Sequence, residues 1–431
     1  MRRPTHRNPR AFSLGSWVAT DDNGHFFHPD VRYIIKQRTR YMHPINALTQ
    51  LGSIDTELFL KEYWQRKPCV FRGAFADALE VASADELAGM ACEEGIESRL
   101  VISDPLSGAF ELREGPFDEA SFQELPESHW TLLIQGVDLW LPEASDLLER
   151  FTFIPSWKLD DLMISFATRG GGVGPHYDNY DVFIIQAEGR RRWEIGGHYE
   201  QHSSEFIADQ PVRVLKHWQP EQSWDLEPGD MIYIPPRVGH NGIALTDDCI
   251  NYSVGYRAPH AAEMLEHLAL YCADNTPNEL RYGDAGLQLR PHPGEIQVDD
   301  LDQVRDLLHG LIGDPERLAR WWGEYVTEAK NPEDGCSAQP LTVAELHQVL
   351  EESDAVRRGE GIRMAYVRNS KGGQLFVEGH SFDLAPESMP LAELLSDHNS
   401  YSTQQISGWL EQPQTQAIVL ELFANDQLYG L

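Results

Sequence analysis

Between Asp160 and Tyr256 the apolar positions fall in short runs that alternate with polar ones and break at Gly, Pro and Asp. That period of two predicts strands over Leu162–Thr168, Asp181–Gln186, Arg191–Ile195, Met231–Ile234, Gly242–Leu245 and Ile250–Tyr256. Short strands separated by turn residues predict a double-sheet jelly roll, a double-stranded β-helix. Ahead of it the pattern is mixed. Asp55 caps a helix that carries Leu58, Phe59 and Tyr63-Trp64. Strands follow at Pro68–Phe71, Ser98–Ile102, Ala109–Leu112 and Thr131–Gln135, and helices at Ala84–Cys92 and Glu143–Phe151. Beyond Pro259 the period lengthens to 3.6, which predicts helices over Ala261–Tyr271, Val298–Leu311 and Pro315–Ala329. Their apolar stripes include Leu265, Leu268, Leu307, Leu308, Leu311, Trp321 and Trp322, and these predict a two-fold dimer built on this helical region. A turn-rich linker, Lys330–Gly335, leads to a helix at Thr342–Glu351, a hairpin pairing Arg363–Arg368 with Gln374–Glu378, and further short helices. That order suggests a winged-helix-like module. The pattern therefore divides the chain into a flexible basic extension (1–45), a β-rich domain (46–260), a helical dimerisation region (261–330) and a C-terminal module (336–431).

A length of 431 residues fits several domains. No apolar run reaches the 18 or so residues of a membrane span, and no apolar leader follows the charged start. The five cysteines are scattered and lack CxxC pairs, which suits reduced thiols in the cytoplasm and excludes a thiolate metal site. The formal net charge of −33 disfavours general nucleic-acid binding and favours a basic protein partner. The segment 331–431 holds 15 Asp/Glu against 5 Lys/Arg, so DNA binding by the winged-helix-like module is not expected.

The candidate chemistry lies in two stretches. Gly170-Gly-Gly-Val-Gly-Pro-His-Tyr-Asp178 presents His176 and Asp178 two residues apart, on the same side of an extended chain. Glu227-Pro-Gly-Asp-Met-Ile-Tyr-Ile-Pro-Pro-Arg-Val-Gly-His240 supplies a second imidazole after a Pro/Gly turn. Two histidines and one aspartate make a facial triad that suits Fe(II) and leaves positions open for O2 and a co-substrate. Zinc is less apt, because no HExxH helix occurs. His28-Pro-Asp30 and His198-Tyr-Glu200 share the spacing but lack a strand framework and a second ligand. A 2-oxoglutarate co-substrate needs a fixed cation for its distal carboxylate. In Gly189-Arg-Arg-Arg-Trp-Glu-Ile195, period two turns Arg191 inward with Trp193 and Ile195, and Arg190 and Arg192 outward.

The stretch from Asp161 to Ile195, the turn ending at His240, and Asn251-Tyr-Ser-Val-Gly-Tyr-Arg257 together resemble the JmjC-type cupin oxygenases. Within these the chain looks most like the bacterial ribosomal oxygenases, arginine hydroxylases of large-subunit ribosomal protein sixteen. The likeness runs from about residue 50 to the C-terminus. It implies iron on His176, Asp178 and His240, 2-oxoglutarate on Arg191 with Ser165 and Asn251 nearby, and a basic ribosomal protein as substrate. Histidine hydroxylation, N-methyl-lysine demethylation and a non-catalytic cupin module are the other outcomes this pattern allows. One position departs from the family: Ala167 stands where relatives carry serine, and Ser165, Thr168 or Asn251 are candidates to replace that hydroxyl.

Overall fold

The computed structural model describes residues 46–75, 81–200, 205–330 and 340–431, together with a two-stranded ladder of Ala19–Thr20 and Phe26–Phe27. Apart from that ladder the basic N-terminal extension, with His28 and Asp30, lies outside the described residues, as does most of the linker after Lys330. The chain divides into two compact units, the first reaching Ala258 and the second running from Pro259 to Gly430, with Arg357–Gly361 and Leu431 grouped with the first.

The first unit begins with α1 (Thr56–Glu62), whose N-cap Asp55 accepts a hydrogen bond from the Leu58 amide at 2.8 Å. Such a cap contributes about 1 kcal/mol. Then come β1 (Cys69–Phe71), α2 (Ala84–Met90), β2 (Ser98–Ser103), β3 (Phe110–Glu114), β4 (Trp130–Ile134) and α3 (Pro142–Glu149). The jelly roll itself comprises β5 (Leu159–Ala167), β6 (Val182–Glu188), β7 (Arg191–His198), β8 (Gln222–Leu226), β9 (Met231–Ile234), β10 (Val238–Ala244) and β11 (Cys249–Tyr256). An eight-stranded sheet has the order β1-β9-β6-β11-β5-β4-β2-β3, and a three-stranded sheet the order β8-β7-β10.

The large sheet is buried on both faces. On one face Val182, Ile184, Ile232 and Ile234 pack against Trp193, Ile195, Leu226 and Val238 of the smaller sheet, and this forms the barrel interior. On the other face Phe183, Ile185, Met231, Tyr233, Tyr252 and Val254 join the N-terminal segment, with Phe59, Phe71 and Leu87, in the main core. Phe59 alone meets Tyr233 at a ring-centroid distance of 4.9 Å and Phe183 at 5.3 Å. Because successive side chains alternate, each central strand serves the core with one set and the barrel interior with the other. The interior is where the candidate site lies.

In the second unit α4 (Ala261–Asp274), α5 (Val298–Ile312) and α6 (Pro315–Thr327) precede α7 (Val343–Glu352), a sheet of β12 (Met364–Asn369), β13 (Gly372–Val377) and β14 (His380–Leu384), and α8 (Met389–Asp397) and α9 (Pro413–Ala424). α6 lies on that sheet. Gly323 sits where any Cβ would overlap the Phe376 ring, and Arg320 reaches Asp383 at 2.7 Å and the Ser381 hydroxyl at 2.7 Å. Trp321 is also buried within its own chain, where its indole N–H donates to His267 of α4 at 2.9 Å, unlike Leu265 and Leu308, which stay 62% and 49% exposed. The stripe expected on α6 as a face for a second subunit is thus largely covered at home, and the exposed apolar face belongs to α4 and α5.

Candidate active site

His176 and His240 face each other across an antiparallel bridge: the His176 amide donates to the His240 carbonyl at 2.9 Å, and the reverse bond is 2.8 Å. Gly174, at φ +80°, turns the chain into this extended segment. The opposite side is β10. Its expected start at Gly242 moves to Val238, because the Pro/Gly turn is already complete at Arg237 (φ +63°). His240 therefore stands inside a strand, paired with Ile195, instead of at a loop tip.

Each ring donates from Nδ1 to a backbone carbonyl two residues back, His176 to Gly174 at 2.8 Å and His240 to Val238 at 3.0 Å. A carbonyl only accepts, so Nδ1 carries the proton in both rings and Nε2 keeps its lone pair for the site. Asp178 Oδ2 lies 3.5 Å from His240 Nε2 and 3.9 Å from His176 Nε2. Burial, and then the neighbouring His176, push the His240 pKa down to about 4, so the ring is neutral at physiological pH. All three ligand atoms fall within 4.8 Å of one another, and no other such group of three is found among the described residues. Cis ligands about 2.1 Å from an octahedral ion lie about 3 Å apart, so the set closes on an ion with side-chain shifts of under about 1 Å. His198 and Glu200, the alternative pair, form only an exposed contact of 3.6 Å.

Arg191 points into the barrel, as the period-two reading required: it is 5% exposed, between exposed Arg190 and Arg192, with buried Trp193 two residues on. Arg192 turns outward to Asp225 at 2.7 and 2.9 Å. Inside, Nε and Nη2 of Arg191 are buried without a hydrogen-bond partner among the described residues. A buried unpaired guanidinium is costly, and a ligand carboxylate is the group that would satisfy it. The residues present therefore fit a metal ion and a dicarboxylate.

A family model described as a JmjC domain matches residues 146–264, and one described as a ROXA-like winged helix matches 306–429. The chain is 33% identical over 369 residues to the Escherichia coli ribosomal protein uL16 3-hydroxylase, covering 84% of this chain and 94% of that protein. The chain belongs to the JmjC ribosomal oxygenases. The X-ray structure of E. coli YcfD matches this JmjC fold with a TM-score of 0.80 at 32% identity, covering 88% of this chain and 99% of that one. A structure of YcfD, described as a ribosomal oxygenase in complex with cobalt and 2-oxoglutarate, matches with a TM-score of 0.76 at 32% identity, covering 88% and 98%. The winged-helix match begins at 306, inside α5, so it takes in α6, which lies on the β12–β14 sheet.

Further residues of the JmjC barrel line its interior. Ser165 and Asn251 are cross-strand partners on the interior faces of β5 and β11, and the Asn251 amide donates to Gln186 Oε1 at 2.7 Å. Counting back by two from Ser165 brings Met163 and then Asp161 onto that face, while Leu162, Ile164 and Phe166 belong to the outer core. Asp161 is buried, and the Gln135 side chain donates to it at 2.5 Å. Burial, and then the charges of Asp178, Asp161 and Asp160, push the Tyr180 hydroxyl up. The sequence reading missed Asp161 and Tyr180, although the same period that found Arg191 would have reached Asp161. Asp181, just before β6, faces the other way: it accepts from the Tyr233 hydroxyl and from Gln65 Nε2 at 2.9 Å in the outer core.

Proposed function

We propose that this chain is an Fe(II)- and 2-oxoglutarate-dependent hydroxylase of a large-subunit ribosomal protein, acting on an arginine side chain in the cytoplasm. The observation that carries the reading is the pairing of a three-donor set with an unpaired guanidinium inside one barrel. His176, Asp178 and His240 would hold the ion; Arg191 would hold the distal carboxylate of 2-oxoglutarate, with Ser165 and Asn251 on the adjoining wall. When bound, iron, 2-oxoglutarate and O2 supply the power to oxidise an unactivated C–H bond, with succinate and CO2 as by-products.

The chain's own part is orientation and exclusion. The hydrogen-bonded Nδ1 atoms fix both imidazoles, so the Nε2 lone pairs need no reorganisation. The apolar interior around Val182, Ile184, Trp193 and Ile195 keeps water from the reacting centre. The buried Asp161 carboxylate on the interior face of β5 suits a cationic planar side chain, and the relative's name points to a ribosomal protein. A net charge of −33 would draw such a basic partner and repel DNA. No helix among the described residues is long and apolar enough to cross a membrane. The exposed apolar residues of α4 and α5, among them Leu265, Leu270, Leu301 and Leu308, support a homodimer.

Incubation with purified large-subunit ribosomal proteins, Fe(II), 2-oxoglutarate and air, followed by peptide mass spectrometry, tests the reading. The expected result is a gain of one oxygen on one arginine, dependent on 2-oxoglutarate. Oxygen on histidine would overturn the residue assignment, and no 2-oxoglutarate-dependent product on any ribosomal protein would overturn the function.

A further inference from the structure

Arg191 is not the only buried polar group left unpaired in the barrel. Thr131, on β4, is 1% exposed and its hydroxyl has no partner among the described residues. The β4–β5 register sets Thr131 directly opposite Ala167, and β5–β11 sets Ala167 opposite Cys249. Side chains opposite one another in an antiparallel pair share a face, so Thr131 points to the interior, while its neighbours Trp130 and Leu132 belong to the outer core. Ala167 and Cys249 pack against Ala244 of the smaller sheet, and Ala244 is the register partner of Arg191. Arg191 from one sheet and Thr131 from the other thus border the same floor of small residues.

Two of the other polar groups nearby are already engaged. Thr168 Oγ1 is tied to the Trp130 backbone, and the Asn251 amide donates to Gln186. A carboxylate offers about four lone-pair sites, more than the two free Arg191 nitrogens fill. A hydroxyl can donate to one of the remainder.

We propose that Thr131 donates a hydrogen bond to the distal carboxylate of 2-oxoglutarate alongside Arg191, in place of the hydroxyl missing at Ala167. This rests on the reading of the barrel as a 2-oxoglutarate site. Calorimetric titration of the Mn(II)-loaded protein without oxygen tests it by binding alone. Thr131→Val, which keeps the shape and removes the hydroxyl, should weaken 2-oxoglutarate binding about ten- to a hundredfold, as for other hydrogen bonds to charged groups. Thr131→Ser should bind within about threefold of the wild type, and adding Ala167→Ser to Thr131→Val should restore most of the loss. Binding of 2-oxopentanoate, which lacks the distal carboxylate, should be unchanged by Thr131→Val. Should that variant fail to fold by circular dichroism, Thr131→Ala carries the same expectations. A change of less than about threefold for 2-oxoglutarate, or an equal loss for both ligands, overturns the role of Thr131. If the wild-type protein with Mn(II) binds no 2-oxoglutarate, the functional reading itself fails instead.

Discussion

Removing the Arg191 guanidinium should have opposite consequences for the empty and the loaded protein. In the ligand-free barrel Nε and Nη2 are buried and unpaired, so this cation lowers stability. Arg191→Met, which fills much of the same volume without charge, should therefore leave the ligand-free protein at least as stable as the wild type. With co-substrate the balance reverses, because a hydrogen bond to a charged group is worth about 1.5–3 kcal/mol, or about ten- to a hundredfold in Kd. At 2-oxoglutarate one hundred times the wild-type Kd, the wild type gains about 2.7 kcal/mol by linkage. A variant bound tenfold or a hundredfold more weakly gains only about 1.4 or 0.4 kcal/mol at the same concentration. Chemical denaturation of the metal-loaded protein, with and without 2-oxoglutarate, reads both quantities. Arg190→Met and Arg192→Met serve as controls, since Arg190 is exposed and Arg192 pairs with Asp225 outside the barrel. If either control loses the ligand-dependent gain and Arg191→Met keeps it, the inward phase of β7 has been misassigned to its function.

Three other outcomes are expected. His176→Ala or Asp178→Ala should abolish iron-dependent succinate formation while circular dichroism stays native, since each removes one donor from a three-donor set; normal turnover by either would end the assignment. Gly323→Ala should destabilise the protein to denaturant, because its Cβ overlaps the buried Phe376 ring. Overpacking costs about 1–3 kcal/mol against a helix-propensity gain of about 1, and a stabilised variant would refute that packing. Light scattering at micromolar concentration should report twice the chain mass of 48.9 kDa at both low and high salt, since apolar burial of at least about 1,000 Å² would carry the contact; a monomer at both would refute the dimer.

Elements that bury a continuous apolar set could be read from the chain. Strands β6, β9 and β11 were, and so was the phase of β7, because Trp193 and Ile195 leave Arg191 only one side to face. Two polar edge strands could not. β8, Gln-Ser-Trp-Asp-Leu, and β14, His-Ser-Phe-Asp-Leu, fully bury only their last leucine and read as polar turns. The start of β10 was misplaced because Pro and Gly mark a turn without marking where it ends. An amphipathic stripe also does not say which surface will cover it, so α6, docked on its own sheet, looked like α4 and α5. The triad was legible as spacing, whereas Thr131 was not: its relation to Ala167 and Arg191 exists only through register between strands far apart in the chain.

The mutual backbone bridge between His176 and His240 has a bearing on how the site would be filled. Where donors converge only when an ion gathers them, loading is a folding reaction, and chelators unravel the protein. Here the ladder that aligns the two rings is closed by amide–carbonyl bonds of 2.9 and 2.8 Å that owe nothing to an ion. Two of the three donors are therefore framed by backbone bonds alone. A chelator should strip activity and leave the melting profile of the barrel nearly unchanged, and returning the metal should revive the enzyme on the timescale of mixing. In a cell where iron is scarce, such a protein waits intact as an apoenzyme, so its output can follow iron supply without new synthesis.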